Sequence, residues 1–452
     1  MKKVMITITV VILMTVLAAT AAFASDYDSV ANELSQIGMF RGTGTGFELD
    51  RAPTRAEAAT ILVRLYGAED EAEADFASGK INNPFTDVKN NTAPYVAWLY
   101  NKGLTNGTSA TTFTPNATCN AKMYCSFVLR ALGYDSSDFK YGDALTFAEQ
   151  KGFYSAAMFK GNFTRDEMAA ITYQALAVNL KDGSTYLLDS LVKSGAVDKT
   201  AAASITSKIE TYRAMEKAIK ATDSNNMDAD INQIMDYSMT ISGQETTGTS
   251  TTTGNIKVIT KDSDIQMASE MNTVAAGATS TIGMWLKDGW MYMNMTTGTE
   301  TWKYKYSVGD ELSAVTSGSG MEMLGDDMSA LAVIKSIDSK TSGTDTVYTM
   351  VLNGNGISSL TDEVIKGMGA DKASIKSLDI GDMTMSVTVS NTGALENMTM
   401  KYGMTMTAKT AGETMSMTAD YDTTMKINKT GSAVSITFPD LSDYEEMKGS
   451  AA

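Results

Sequence analysis

The sequence predicts a multidomain protein. An all-α module of helix-loop-helix repeats precedes an α+β domain with a large curved antiparallel sheet and covering helices. Three observations lead there. A helix-loop-helix unit recurs about three times between Ala31 and Ala177, and units repeated every few tens of residues bury their faces against one another. Beyond residue 210, where 25 of the 32 methionines lie, the composition shifts to Thr, Ser, Gly and Met. Apolar and polar residues alternate there at period two, as in antiparallel strands with one dry and one wet face.

At the N-terminus, Lys2 and Lys3 precede an apolar run from Val4 to Leu17, and Ala22-Phe23-Ala24 offers a small-residue cleavage site. Residues 1–24 therefore read as a secretory signal peptide. The run is short for a membrane span, so no transmembrane anchor is expected in the mature protein. No cysteine near the cleavage site is available for lipid attachment, and Glu446–Ala452 holds neither a hydrophobic tail nor a covalent sorting signal. Attachment to a wall would then be non-covalent. A net charge of −16 and a pI near 4.6 argue against a nucleic-acid partner. The chain has no histidine, which removes the commonest general base, the usual zinc ligand and every histidine-based catalytic dyad. No catalytic residue, cofactor or metal is expected.

The first repeat (27–67) is marked by Pro53-Thr54-Arg55-Ala56-Glu57 leading into Ala58–Leu65. Thr54 and Glu57 have the spacing of a capping box. Arg55 sits in the first helical turn, where positive charge opposes the helix dipole. It reads either as an anion contact, helped by free N–H groups at the helix end, or as a surface ion pair. The loop Gly42–Gly46 is a flexible connector, since no strand–loop–helix context makes it a phosphate site. The second repeat (84–134) carries Phe85-Thr86-Asp87-Val88, Gly103–Thr108 and Phe113-Thr114-Pro115-Asn116. Its motif position reads Cys119-Asn120-Ala121-Lys122, and Lys122 supplies charge without the fork of an arginine. Cys119 and Cys125 straddle a helix start and are expected to point to different sides as unpaired thiols. Cys119 would take the cap position and Cys125 a more buried face. The third repeat (139–180) restores the motif as Phe163-Thr164-Arg165-Asp166-Glu167.

These residues resemble the S-layer homology (SLH) domain. The resemblance implies three units packed as a pseudo-trimer, whose grooves hold an exported protein on an acidic, often pyruvylated, secondary cell-wall polysaccharide. It implies polysaccharide contacts from Thr54, Arg55, Thr164 and Arg165, with contributions from Asp87, Trp98 and the Asn106-Gly107 turn. Lys122 would serve a degenerate second pocket. Trp98 also reads as core, because its helix carries Tyr95, Val96 and Leu99. An acidic protein would meet an acidic polymer only through such local sites, its overall field being repulsive.

A helical stretch rich in small residues, Ala196 to Ile234, separates the halves, with a linker at 181–211 and the sheet domain at 212–447. Alternation is clearest at Met291–Met295, Met383–Val389, Met398–Met406 and Met415–Tyr421. Turn signals fall at Lys287-Asp288-Gly289, Asn391-Thr392-Gly393, Thr410-Ala411-Gly412 and Lys429-Thr430-Gly431. Two further helices are expected around Gly325–Ile337 and Leu360–Gly367. Methionine is not a favoured strand residue. It either fills the sheet–helix core or lines an adaptable face for an apolar ligand. That face would comprise Met383, Met385, Met398, Met400, Met404, Met406, Met415 and Met417. Capture of Cu(I) by thioethers is disfavoured by same-face strand spacing without clustered methionine loops.

Trp285–Met293, Thr301-Trp302-Lys303-Tyr304 and Ile436-Thr437-Phe438-Pro439 resemble a surface-domain family of uncharacterised function. That family is in turn similar to the half-barrel of periplasmic lipoprotein and lipid carriers. The resemblance implies a half-barrel and a lipid or other apolar ligand, and brings no catalytic residue. Asp326-Asp327 and Asp223, Asp228 and Asp230 lie near expected helix starts, where carboxylates are ordinary, and no calcium loop is present. Two functions follow: a wall-anchored surface protein displaying a ligand-binding domain, or a purely structural envelope component. A surface hydrolase is a distant third.

Overall fold

A computed structural model describes residues 27–89, 91–155, 162–222, 226–261, 264–308, 328–354, 375–410 and 413–446. The signal segment, Asp223, Asp326-Asp327 and the helix expected at Leu360–Gly367 lie outside the described residues. The chain divides into two units, one holding residues 27–210 and 328–335, the other 211–308 and 336–446.

The first unit is helical. Its elements are α1 (Asp28–Gln36), α2 (Arg55–Leu65), α3 (Glu69–Ala77), α4 (Ala93–Asn101), α5 (Ala121–Ala131), α6 (Ala144–Gln150), α7 (Arg165–Leu176), α8 (Leu187–Ser194) and the first half of α9 (Lys199–Ala221). The capping boxes read from sequence form at both places: Thr54 with Glu57 opens α2, and Thr164 with Glu167 opens α7. At α5 the cap is Asn120, whose side chain accepts from Met123 N–H at 2.9 Å. Cys119 therefore stands one residue before the cap, because an amide oxygen reaches the N3 donor better than a thiol does. Every residue of α7 is buried, the mark of a helix surrounded on all sides. A 3-10 segment, Met328–Val333, packs on α7. Leu331, Ala332, Val333 and Ile334 are buried there, and Lys208 Nζ donates to Ile334 O at 3.1 Å and to Glu33 at 2.7 Å.

The second unit is a curved, unclosed sheet. Its strands are β1 (Asn226–Ile241), β2 (Gln244–Lys261), β3 (Asp264–Ala275), β4 (Ala278–Lys287), β5 (Trp290–Thr297), β6 (Glu300–Ser307), β7 (Ile334–Ser342), β8 (Asp345–Leu352), β9 (Ile375–Ile380), β10 (Met383–Val389), β11 (Leu395–Thr410), β12 (Glu413–Thr430) and β13 (Glu445–Glu446). They run in the order β13-β6-β5-β4-β3-β2-β1-β12-β11-β10-β8-β7, with β9 paired to β11. Pairing is antiparallel except at one edge, where β13 joins β6 in parallel. Three tight hairpins join β1 to β2, β3 to β4 and β4 to β5. Ser242-Gly243, Ala276-Gly277 and Asp288-Gly289 all have positive φ at both residues, the conformation that matches strand twist. The second half of α9 buries Tyr212, Met215 and Ile219. Thr222, just past its end, accepts from Leu395 N–H of β11 at 3.1 Å.

Three further expectations need correction. The helix read through Ile234 ends at Ala221, and 226–241 is β1. There Met227, Ala229 and Met235 face inward against exposed Asp230, Asn232 and Asp236, a period-two pattern that helix geometry could not bury. The helix expected around Gly325–Ile337 is the short 3-10 segment, giving way to β7 at Ile334. The turn expected at Lys429-Thr430-Gly431 makes no hairpin: β12 ends at Thr430, and Gly431–Ala433 forms a 3-10 turn.

Candidate functional site

Arg55 projects from the first turn of α2 onto the loop of the second repeat. Its Nε donates to Phe113 O at 3.0 Å, and its guanidinium lies 4.7 Å from the centre of the Phe113 ring. The two terminal nitrogens have no protein partner among the described residues. The helix end itself is closed to ligands. Arg55 N–H donates to Ala117 O, Ala56 N–H to Pro115 O and Glu57 N–H to the Thr54 hydroxyl. The N–H groups that the sequence leaves free are thus taken by the neighbouring loop and the Thr54 cap, so the arginine side chain is the cationic donor left at this helix end.

Asp87 holds that loop in place. Its carboxylate accepts from Phe113 N–H at 2.9 Å and Thr114 N–H at 2.8 Å. Desolvation works to raise its pKa, but those N–H donors and the Arg55 charge outweigh it and hold the carboxyl below its usual range. Gly107 belongs to the same loop: its φ is +70°, and a Cβ there would meet Phe85 at 2.3 Å and Thr112 O at 2.5 Å. Its neighbour Asn106 is exposed. Lys122 is half-buried, with Nζ 6.0 Å from the ring centre of Tyr141, which is itself 51% exposed. Burial raises the Tyr141 phenol above its ordinary range; Cys119 adds to the rise and Arg55 opposes it. Arg55, Phe113, Lys122 and Tyr141 thus gather elements of all three repeats. The sequence reading singles out neither Phe113 as a shelf nor Tyr141; the Phe113-Thr114-Pro115 motif signals the first and nothing signals the second.

Arg165, in the same motif, sits differently. It is 3% exposed, and its fork is filled: Nε donates to Phe47 O at 2.8 Å, Nη1 to Glu57 at 2.7 Å and Nη2 to Arg41 O at 3.3 Å. Its guanidinium lies 4.7 Å from the Phe40 ring centre. Thr54 and Thr164 are occupied as caps. Trp98 is 4% exposed, packed on Tyr66 at 5.6 Å with Lys102 above it, and its indole N–H has no partner among the described residues. Both cysteines are free and buried, and burial pushes the Cys119 thiol up to about 12.

In the sheet unit the eight methionines singled out share one face. Met385 stands opposite Met400, Met398 opposite Met425, Met404 opposite Ala419, Met406 opposite Met417 and Ala408 opposite Met415. Met383, Met385, Met406 and Met417 are 1–2% exposed, Met398 and Met404 are buried, and Met400 and Met415 are half-buried. On β3, β4 and β5 the same face keeps Ile265, Met267, Met284 and Met293 only partly covered around Leu286, Met291 and Val308. No helix among the described residues is long and apolar enough to cross a membrane.

Comparison with known proteins bears on both units. Residues 84–120 match the S-layer homology domain. A cell surface protein of Thermoanaerobacter kivui is 30% identical over 188 residues, covering 39% of this chain and 24% of that protein. An endoglucanase of Bacillus sp. (strain KSM-635) is 32% identical over 108 residues, covering 20% and 12% respectively. A middle cell wall protein of Brevibacillus brevis is 29% identical over 116 residues, covering 25% and 11%. The chain thus spans a quarter or less of the length of each of these relatives. With its S-layer homology domain, this is a surface protein of the cell wall or S-layer. Residues 207–440, just over half of the chain, match the model described as "Family of unknown function (DUF6612)", and the chain belongs to that family.

Proposed function

We propose that the helical unit anchors the protein by binding an acidic cell-wall polysaccharide at Arg55, and that the role is non-enzymatic. The observation that carries this is the contrast between two arginines of one motif. Arg165 spends its whole fork on protein acceptors, whereas Arg55 is fixed at Nε and leaves both terminal nitrogens available. A fork held rigid on an aromatic ring is pre-organised for a carboxylate, the group that a pyruvyl ketal on a sugar would present. Phe113 and Tyr141 add ring surface for a saccharide, and Lys122 adds charge without geometry. The test is co-sedimentation of the full chain with purified wall sacculi. Arg55→Ala should weaken binding roughly 10–100-fold, the loss of a charge-assisted bond pair of ~1.5–3 kcal/mol, with Arg55→Lys in between. Sedimentation of Arg55→Ala equal to wild type would sink the assignment.

For the sheet unit, we infer an apolar ligand on the methionine-lined face. The supporting observation is its uneven cover: the β10–β12 side is packed to 1–2% exposure at four methionines, while Met267, Met284 and Met293 are left partly open. Native mass spectrometry of the full chain, with organic extraction, should find a bound lipid. A protein that emerges empty and ignores added lipid would leave the sheet a purely structural envelope element.

A further inference from the structure

One row of residues breaks the methionine lining of the inner face. Thr423 on β12, Gln233 on β1, Thr252 on β2, Thr273 on β3, Ser280 on β4 and Thr297 on β5 stand opposite one another across five consecutive strand pairs. Their side chains pair off. Gln233 Nε2 donates to Thr423 Oγ1 at 2.9 Å, the Thr252 and Thr273 hydroxyls meet at 2.8 Å, and those of Ser280 and Thr297 at 3.0 Å. Gln233 Oε1 is left over. Ser250, opposite Met235 and one row from Gln233, and Ser269, opposite Met284, also point to this face. Gln233 is 2% exposed and each serine 1%, yet Gln233 Oε1, Ser250 Oγ and Ser269 Oγ have no hydrogen-bond partner among the described residues. A protein core does not keep three such atoms on one sheet face without loss. They are unused hydrogen-bonding capacity beside apolar surface that the chain leaves partly uncovered.

We propose that this face binds a neutral amphiphile. Its apolar chain lies along Met267, Met284 and Met293, and a hydroxyl or amide N–H at its polar end donates to Gln233 Oε1 and bonds the Ser250 hydroxyl. The polar end is uncharged, because the inward positions of β1 to β5 carry no Lys, Arg, Asp or Glu. A buried carboxylate or phosphate there would be left without a counter-charge. Gln233 Oε1 can only accept, so the ligand must bring a donor. This rests on the apolar-ligand reading and adds the head-group chemistry to it.

The test titrates the full chain with 1-monooleoylglycerol, methyl oleate and oleate, which share one acyl chain and differ at the head. Monooleoylglycerol should bind at least tenfold more tightly than the other two. Ser250→Ala and Gln233→Met should abolish that preference by weakening monooleoylglycerol binding. Ser250→Ala removes an unpartnered hydroxyl, so it keeps the test valid even if Gln233→Met misfolds. Equal binding of monooleoylglycerol and methyl oleate, a preference for oleate, or a preference that survives Ser250→Ala and Gln233→Met would overturn the head-group inference and leave the apolar reading standing. Failure of all three ligands to bind would overturn both.

Discussion

Glu57 does three things from one carboxylate. It closes the capping box of α2, receives Arg51 at 2.6 Å and receives Arg165 of the third repeat at 2.7 Å. Burial works to raise its pKa, but the Arg51 and Thr54 hydrogen bonds and the Arg165 charge hold it below the usual range. Its stabilisation is therefore present above the ordinary carboxyl pKa and is lost as pH falls through the lowered one. Glu57→Gln should cost roughly 2–4 kcal/mol at neutral pH, and thermal melts of the two proteins should draw together as pH falls below the ordinary carboxyl range. At the same scale, burial raises both Cys119 and Cys125, so neither thiol should react with an aromatic disulfide reagent at pH 8 until the chain is unfolded. Rapid labelling of the native protein would contradict this burial. None of it is legible locally. The stretches around Arg55 and Arg165 look alike, and what separates them is which carboxylate and carbonyls reach each from 58 to 124 residues away.

Among the elements, the strands of the second unit were the most legible, because period two needs only the order of residues. Met383 to Val389 reads buried, half-buried, buried throughout, as the alternation requires. The exception, β1, mixes Ala229 and Gln233 into its inner row, which blurred the alternation and let the preceding helix seem longer. The hairpins carry a prediction. Ala276 holds φ of 49°, a left-handed conformation that costs an alanine about 1 kcal/mol and that Asn tolerates. Ala276→Asn should raise stability by about 0.5–1 kcal/mol in chemical denaturation, and an unchanged midpoint would refute it. Gly107→Ala should do the reverse, losing about 2–4 kcal/mol, since its Cβ would strike both a backbone oxygen and Phe85.

At the scale of the molecule, the order of a helical half and a sheet half follows from repeats and composition. The insertion of Met328–Val333 into the helical unit does not. A six-residue 3-10 segment has no periodicity to read, and its burial depends on a surface of α7 formed far away in the chain. A fragment of residues 27–210 would expose the site of Leu331, Val333 and Ile334 and leave Lys208 without its Ile334 acceptor. It should melt well below the full chain's helical transition, by several kcal/mol of lost apolar burial, as differential scanning calorimetry would measure. Equal stability of the fragment would make that segment a passenger.

That segment also sets an order of events for a chain that emerges N-terminus first. Everything needed for Arg55 to meet its loop emerges by Tyr141, but the helical unit is not finished until residue 335 has emerged. Half of the sheet must therefore emerge before the helical unit is complete, so a chain truncated before Met328 carries Arg55 and its loop without the segment that finishes their unit.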